Sequence, residues 1–161
     1  MLSTRKKPAG RPRVRMRDVS QSLPLALMRA REAAMQYFRP QLRTLKVTEQ
    51  QWRVLRVLYS AGSLDVTALA RRAVLLAPSL SRILRDLEGH RLIARQRGTA
   101  DRRRQVVMLT PRGVRLLAKG AGGSEAAYRR IAMQLGERRL KTLFRLLAAL
   151  EKALEGNGRR R

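Results

Sequence analysis

The side chains of this chain best suited to chemistry are the small and basic residues of one short segment, residues 77–88. Leucine and isoleucine recur there at three- and four-residue spacing, which predicts one apolar stripe along a helix. The side chains outside that stripe are Pro78, Ser79, Ser81, Arg82 and Arg85. Small hydroxyls permit close approach to a surface, and a guanidinium can bind a guanine edge or a phosphate. This face suits the major groove of DNA, although an ordinary solvated surface helix would show the same pattern.

The preceding segment indicates how this helix is positioned. Residues 65–72 predict another short helix, capped by Ser63 or Asp65. Residues 74–76 leave only a tight connection into the next helix, which begins at Pro78. Two short helices joined in this way predict a helix-turn-helix.

A hairpin with a cationic tip follows the two helices. Residues 92–97 and 105–109 are strand-like. The loop between them contains Asp101, Arg102, Arg103 and Arg104. A helix-turn-helix followed by such a hairpin predicts a winged helix, in which one helix enters the major groove and the wing contacts the minor groove or the backbone.

The charge of the chain indicates a polyanionic partner. Lys and Arg number 37 against 11 Asp and Glu, a formal net charge of +26 at pH 7. This exceeds what solubility requires. The composition therefore favours a nucleic-acid-binding protein.

Several classes of function find no support in the sequence. It has no cysteine and one histidine, His90, and no nucleophile–base pair, phosphate loop or metal-ligand cluster. We therefore expect no enzyme, no catalytic residue, no bound metal and no cofactor. No apolar run approaches the roughly 18 residues of a membrane span, and the N-terminus lacks a secretory signal. We expect a cytoplasmic protein without a membrane partner.

Longer helical patterns flank the winged helix. One runs from residue 19 to about residue 45, and a capping box at residues 48–51 begins another that continues to Tyr59. A helix starting after Thr110 extends to Leu135, with residues 120–123 expected to weaken or kink it. A last helix begins near residue 137, and its apolar stripe contains Leu140, Leu143, Phe144, Leu147, Leu150 and Leu154. That stripe forms a dimerisation layer with the first helix, or packs back within one chain.

These patterns predict a mainly α fold with a small β-hairpin wing. The predicted parts are a disordered basic arm (1–18), a helical dimerisation region (19–46 and 111–156), a winged helix-turn-helix DNA-binding domain (47–110) and a basic tail (157–161).

Arg31 lies at the edge of the apolar face of the first long helix. An arginine there extends to solvent or pairs with an acid, or it binds a ligand. In the ligand hypothesis, Arg31 binds an aromatic carboxylate and Tyr37 and Phe38 form walls of the pocket. Trp52 belongs either to the core or to the same ligand site.

Residues 64–113 resemble the MarR family of winged-helix transcriptional regulators. The resemblance rests on L-D-V-T-A-L-A-R-R, P-S-L-S-R-I-L-R-D-L-E, R-L-I-A-R and D-R-R-R-Q-V-V-M-L-T-P-R-G. L-P-L-A-L-M-R-A-R-E and T-E-Q-Q-W-R-V-L-R extend it to the subgroup that regulates homoprotocatechuate or hydroxyphenylacetate degradation operons. One departure is residues 89–91, where relatives usually have glycine directly before the Leu-Ile strand.

The resemblance implies a homodimer that binds a pseudo-palindromic operator in double-stranded DNA and represses aromatic catabolism genes. A small hydroxylated aromatic acid, homoprotocatechuate-like or hydroxynicotinate-like, would release it. Pro78, Ser79, Ser81 and Arg82 would fall on the base-reading part of the recognition helix. Asp101 would orient Arg103 toward the minor groove, or would only relieve repulsion among the neighbouring arginines. The alternative is a non-specific architectural nucleic-acid-binding protein without a ligand.

Overall fold

The computed structural model describes residues 18–97 and 105–158. The predictions for the basic arm before residue 18, for Asp101 and its arginine neighbours at the wing tip, and for the tail beyond residue 158 lie outside the described residues. In chain order the elements are a short 3-10 helix (Val19–Gln21), α1 (Leu23–Thr44), α2 (Glu49–Ala61), β1 (Ser63–Asp65), α3 (Val66–Ala73), α4 (Ala77–Gly89), β2 (Ile93–Arg97), β3 (Gln105–Leu109), α5 (Pro111–Leu135) and α6 (Glu137–Gly158). The mainly α fold with a small β wing is confirmed.

The contacts of the chain divide it into two compact units between Ala33 and Ala34. In the first unit, the Asp18 carboxylate accepts a hydrogen bond from the Ser20 N–H at 2.8 Å and caps the 3-10 helix. Hydrogen bonding from Ser20 lowers the pKa of the Asp18 carboxyl, because it stabilises the charged form.

The start of α2 confirms the predicted capping box. The Gln51 N–H donates to Thr48 Oγ1 at 3.1 Å, and the Thr48 N–H donates to Gln51 Oε1 at 2.9 Å. Each bond satisfies a backbone donor that the first turn of a helix leaves without an intrahelical partner. The helix continues to Ala61, slightly beyond the predicted end at Tyr59.

The three strands form an antiparallel sheet in the order β1-β3-β2. In the predicted hairpin, Ile93 pairs with Leu109 and Arg97 with Gln105. The third strand, β1, was not predicted. Its Leu64 pairs with Val107 of β3. Because β1 directly precedes α3, this pairing joins the wing to the helix-turn-helix.

Asp65 ends β1 and caps α3. Its Oδ1 accepts a hydrogen bond from the Ala68 N–H at 2.8 Å, which identifies Asp65 rather than Ser63 as the cap. The pairing of β1 with β3 thus positions Asp65, the N-cap residue of α3.

One apolar core lies beneath the winged helix. Its fully buried side chains come from α2, α3, α4 and β3: Val54, Leu55, Leu58, Leu69, Ala73, Leu80, Leu84, Leu87 and Val107. Helix and wing therefore share a single core, which holds the recognition helix in place.

Helix α5 is assigned without a break through the glycine-rich stretch that was expected to weaken or kink it. Gly120 has a packing role, because a Cβ there would lie 2.5 Å from Trp52 Cη2 and 2.7 Å from Leu45 Cδ1. Gln41 Nε2 also donates to the Gly120 carbonyl at 2.6 Å. The absence of a side chain at Gly120 therefore lets α5 approach its neighbours closely.

Candidate DNA interface and ligand cavity

The recognition helix α4 has one buried face and one exposed face, as its sequence predicts. Leu80, Leu84 and Leu87 are fully buried and Ile83 is almost so. The helix begins at Ala77, so Pro78 is its second residue rather than its first. Both positions tolerate proline, because neither N–H has an intrahelical partner.

All five side chains that the sequence assigns to DNA contact on α4 are exposed: Pro78, Ser79, Ser81, Arg82 and Arg85. They follow a turn in which Val74 has a left-handed backbone conformation with φ 51°. A β-branched residue rarely adopts this conformation. The Val74 N–H bonds to the carbonyls of Ala70 and Arg71, which ends α3 and directs the chain into α4.

The wing is attached to α4 by an ion pair. Arg95 Nε of β2 lies 3.1 Å from Glu88 Oε2 near the end of α4. The Arg95 side chain is partly buried, whereas the Glu88 side chain is exposed, so solvent screens the pair in part. The two elements expected to contact DNA are therefore linked directly.

A cavity of about 220 Å³ lies between α2 and α5. Its α2 wall consists of Trp52, Arg56 and Tyr59, and its α5 wall consists of Val114, Leu117, Ala118 and Ala121. An indole ring, a phenol, a guanidinium and small apolar side chains suit an aromatic carboxylate. Gly120 contributes by letting α5 pack against the Trp52 ring.

The four ligand residues expected from the sequence have different surroundings. Trp52 lines the α2–α5 cavity and also packs against the core, so its two suggested roles are compatible. Phe38 is half-buried and meets Tyr128 edge to face, with ring centroids 5.1 Å apart. Tyr37 and Arg31 are exposed on α1.

The sequence analysis missed Arg56 and Tyr59. They follow Trp52 at four and seven residues, a spacing that places all three on one face of a helix. That spacing was the available signal. It could not show that α5 would supply an apolar wall opposite them.

The described residues contain no group of three or more His, Cys, Asp or Glu side chains placed to hold a metal ion. None of the helices within the described ranges is long and apolar enough to cross a membrane.

A helix-turn-helix with an antiparallel wing and a basic outward face defines the class of winged-helix DNA-binding regulators. Residues 47–104 match the MarR family model. The chain is 41% identical over 126 residues to the homoprotocatechuate degradative operon repressor of Escherichia coli, a similarity that covers 78% of this chain and 85% of that protein. The chain belongs to the MarR family, and its expected resemblance to this subgroup is confirmed.

Solved structures agree with this assignment. NadR in complex with 4-hydroxyphenylacetate has a TM-score of 0.74 and 36% identity, covering 85% of this chain and 97% of NadR. The repressor CouR, bound to a 23-mer DNA duplex, has a TM-score of 0.75 and 28% identity, covering 87% of this chain and 99% of CouR. The chain is thus a MarR-type transcriptional regulator, and the family supports the expectation that it is not an enzyme.

Proposed function

We propose that this chain is a homodimeric repressor that binds a pseudo-palindromic operator and leaves it when a small hydroxylated aromatic acid binds. Its targets are genes of aromatic catabolism. The observation that carries this proposal is the α2–α5 cavity, which combines Trp52, Tyr59 and Arg56 in one wall. Two relatives add support, since one represses a homoprotocatechuate operon and NadR binds 4-hydroxyphenylacetate.

DNA recognition is assigned to the exposed face of α4 and to the wing. Arg82 and Arg85 contact guanine edges or phosphates, while Ser79 and Ser81 allow the helix to approach the groove floor. Asp101 orients Arg103 at the wing tip for the minor groove, a role taken from the family resemblance. CouR, a relative of similar fold, has been solved on a DNA duplex.

Dimerisation is assigned to the apolar faces near the two ends of the chain. On α6, Leu143, Phe144 and Leu154 are 42%, 54% and 59% exposed. In the first unit, Leu23, Leu25 and Met28 are also exposed. Several exposed apolar side chains along one helix are typical of an interface. A two-fold dimer would place two copies of α4 about 34 Å apart, one turn of DNA.

The effector is assigned to the α2–α5 cavity through three contacts. The Arg56 guanidinium binds the carboxylate with two hydrogen bonds, the ring lies against Trp52, and the Tyr59 hydroxyl reaches a ring hydroxyl. Helix α2 also contributes Val54, Leu55 and Leu58 to the core that supports α4. A ligand that favours one position of α2 would therefore shift the population of dimers that fit the operator.

The proposal is tested by mobility shift with DNA from upstream of the protein's own gene, at near-physiological salt with excess competitor DNA. Homoprotocatechuate, 4-hydroxyphenylacetate and 6-hydroxynicotinate are added in turn. We expect a competitor-resistant complex that one of these acids dissociates. If none of the acids dissociates the complex, the assignment of an aromatic-acid effector is wrong. If competitor DNA abolishes the complex, the non-specific architectural alternative is favoured.

Calorimetric titration of that acid separates the two candidate arginines. If the cavity is the effector site, Arg56→Gln weakens binding about 10- to 150-fold, the loss of a charge-assisted hydrogen-bonded pair. Arg31→Gln then changes it by less than about two-fold, because Arg31 is exposed and is not among the residues that line the cavity. The reverse result would support Arg31, as the sequence suggested, and would reject the cavity.

A further inference from the structure

A second cavity, of about 380 Å³, lies where the α1–α2 connection, the end of α4 and the start of α5 meet. Its basic side chains are Lys46, His90, Arg112, Arg115 and Lys119. No acidic side chain occurs among the described residues that line it. Four full positive charges around one concave surface raise the local concentration of anions there.

The floor of this cavity is apolar. Leu45, Val47, Leu87, Leu92 and Leu116 line it together with the basic residues. Leu87 and Leu92 are buried, whereas Lys46 and Arg115 are exposed. A basic rim above an apolar floor matches a ligand with an anionic group on an apolar body.

The cavity is distinct from the α2–α5 cavity. It uses Arg112, Arg115 and Lys119 of α5, whereas Val114 and Ala121 line the other cavity. These sets occupy different faces of the helix, which turns through 3.6 residues per turn.

The cavity also lies far from the base-reading end of α4. His90 follows the last residue of this 13-residue helix, which is about 20 Å long at 1.5 Å per residue. Pro78 and Ser79 lie in its first turn. A ligand at His90 therefore does not occupy the surface assigned to the bases.

The backbone holds two basic residues at or beside the rim in an uncommon conformation. Lys46 has φ 55° and Arg91, next to His90, has φ 56°. Non-glycine residues seldom adopt these values, and such outliers concentrate at binding sites. Thr110 stabilises the turn at Arg91, because its Oγ1 donates to the Arg91 carbonyl at 2.7 Å.

Arg91 adopts a left-handed backbone conformation that carries little cost only for glycine. It directly precedes Leu92, a residue of the cavity floor. This turn therefore holds a cationic residue beside the cavity.

We propose that this second cavity binds a small anionic amphiphile, a molecule with a carboxylate, sulfonate or phosphate on an apolar body, independently of the aromatic-acid effector. The occupant contacts α4, α5 and the start of the wing. It is therefore placed to act on the position of the recognition helix without competing for DNA.

The probe for this site is 8-anilinonaphthalene-1-sulfonate, an aromatic sulfonate whose fluorescence rises in apolar surroundings. The full chain is titrated as wild type and as the triple variant Arg112→Gln, Arg115→Gln, Lys119→Gln. A control triple, Arg129→Gln, Arg130→Gln, Arg138→Gln, removes the same charge from exposed positions elsewhere. We expect about ten-fold weaker binding in the cavity triple and less than about two-fold in the control, because the lost attraction is local.

Equal weakening in both triples would mean that net charge alone attracts the probe, and no weakening in either would place the probe elsewhere. Both results would overturn the proposal. Arg115→Gln alone, expected to weaken binding about three-fold, provides a second test if the triple variant does not fold. Arg56→Gln alters only the α2–α5 cavity and should leave probe binding unchanged; weakening equal to that of the cavity triple would show that the probe binds in the α2–α5 cavity instead.

Discussion

Helices α4 and α6 carry the same kind of apolar stripe but differ in what covers it. On α4, Leu80, Leu84 and Leu87 are fully buried. On α6, Phe144 and Leu154 are 54% and 59% exposed, and no side chain described for residues 137–155 is buried. Periodicity therefore predicts which face of a helix is apolar, but it does not identify the surface against which that face packs.

This difference indicates that the α4 stripe packs within one chain and that the α6 stripe packs between two chains. The α4 stripe completes the core of its own chain, so its outward face is free for DNA. The α6 stripe remains without full cover in one chain, as expected if a second copy completes it. Substitutions in the two stripes should consequently affect different measurements.

The largest expected effect on stability comes from Leu84→Ala in the covered stripe. Removing a fully buried leucine loses burial and leaves a cavity, which costs about 2–5 kcal/mol of the free energy of unfolding. Chemical denaturation measures the loss. The control is Leu154→Ala on α6, whose cost should depend on protein concentration because its partner is another copy. If the two variants lost the same free energy of unfolding at every protein concentration, the two stripes would not differ in what covers them.

A charge in the uncovered stripe should break the dimer. Phe144→Glu places a carboxylate in an apolar interface, where an unpaired charge is costly. We expect the dimer dissociation constant to rise by more than about 100-fold, the result of roughly 3 kcal/mol. Sedimentation velocity would then show the mass falling from twice 18.3 kDa to 18.3 kDa.

Ala149→Glu is the control for this substitution. Ala149 is exposed on α6, and the helical rotation of 3.6 residues per turn places it opposite the stripe. The Ala149→Glu substitution adds the same charge as Phe144→Glu and should leave the dimer intact. Dissociation by both variants would mean that charge, and not the apolar stripe, controls assembly.

The free face of α4 is tested by Arg82→Ala. Loss of a bidentate base contact costs about 1–3 kcal/mol, or roughly 5- to 150-fold in operator affinity. Fluorescence anisotropy with operator and scrambled duplexes at one salt concentration measures both affinity and specificity. Arg130→Ala, an exposed change on α5, is the control. If both variants weakened both duplexes alike, Arg82 would be a phosphate contact without sequence preference.

Two glycine substitutions test the packing that supports the ligand cavity. Gly120→Ala introduces a Cβ 2.5 Å from Trp52 Cη2, and such overpacking costs about 1–3 kcal/mol of unfolding free energy. Gly122→Ala meets no atom within 4 Å and should instead stabilise α5 by up to about 1 kcal/mol. Thermal denaturation distinguishes the opposite signs. Stabilisation by Gly120→Ala would show that the packing against Trp52 is loose.

Much of the winged helix could be predicted because its signals are local. The Thr48–Gln51 capping box, the α4 stripe and the two long wing strands each lie within a few consecutive residues. Strand β1 is too short to show a pattern, and only its pairing with β3 defines it.

The features that escaped prediction depend on distant segments or unusual backbone. Arg56 and Tyr59 become cavity residues only because α5 lies opposite them. Val74 and Arg91 adopt left-handed conformations that are usual for glycine and that their side chains do not indicate. The contact assignments at the wing tip remain predictions from the family resemblance.

DNase I footprinting on the DNA upstream of the protein's own gene, with and without 4-hydroxyphenylacetate and its hydroxylated relatives, tests the central claim most directly. The account predicts two protected half-sites about 34 Å apart, one helical turn, and loss of both together when the effector binds. Uniform protection that no aromatic acid relieves would contradict it, because the chain would then bind DNA through its charge alone.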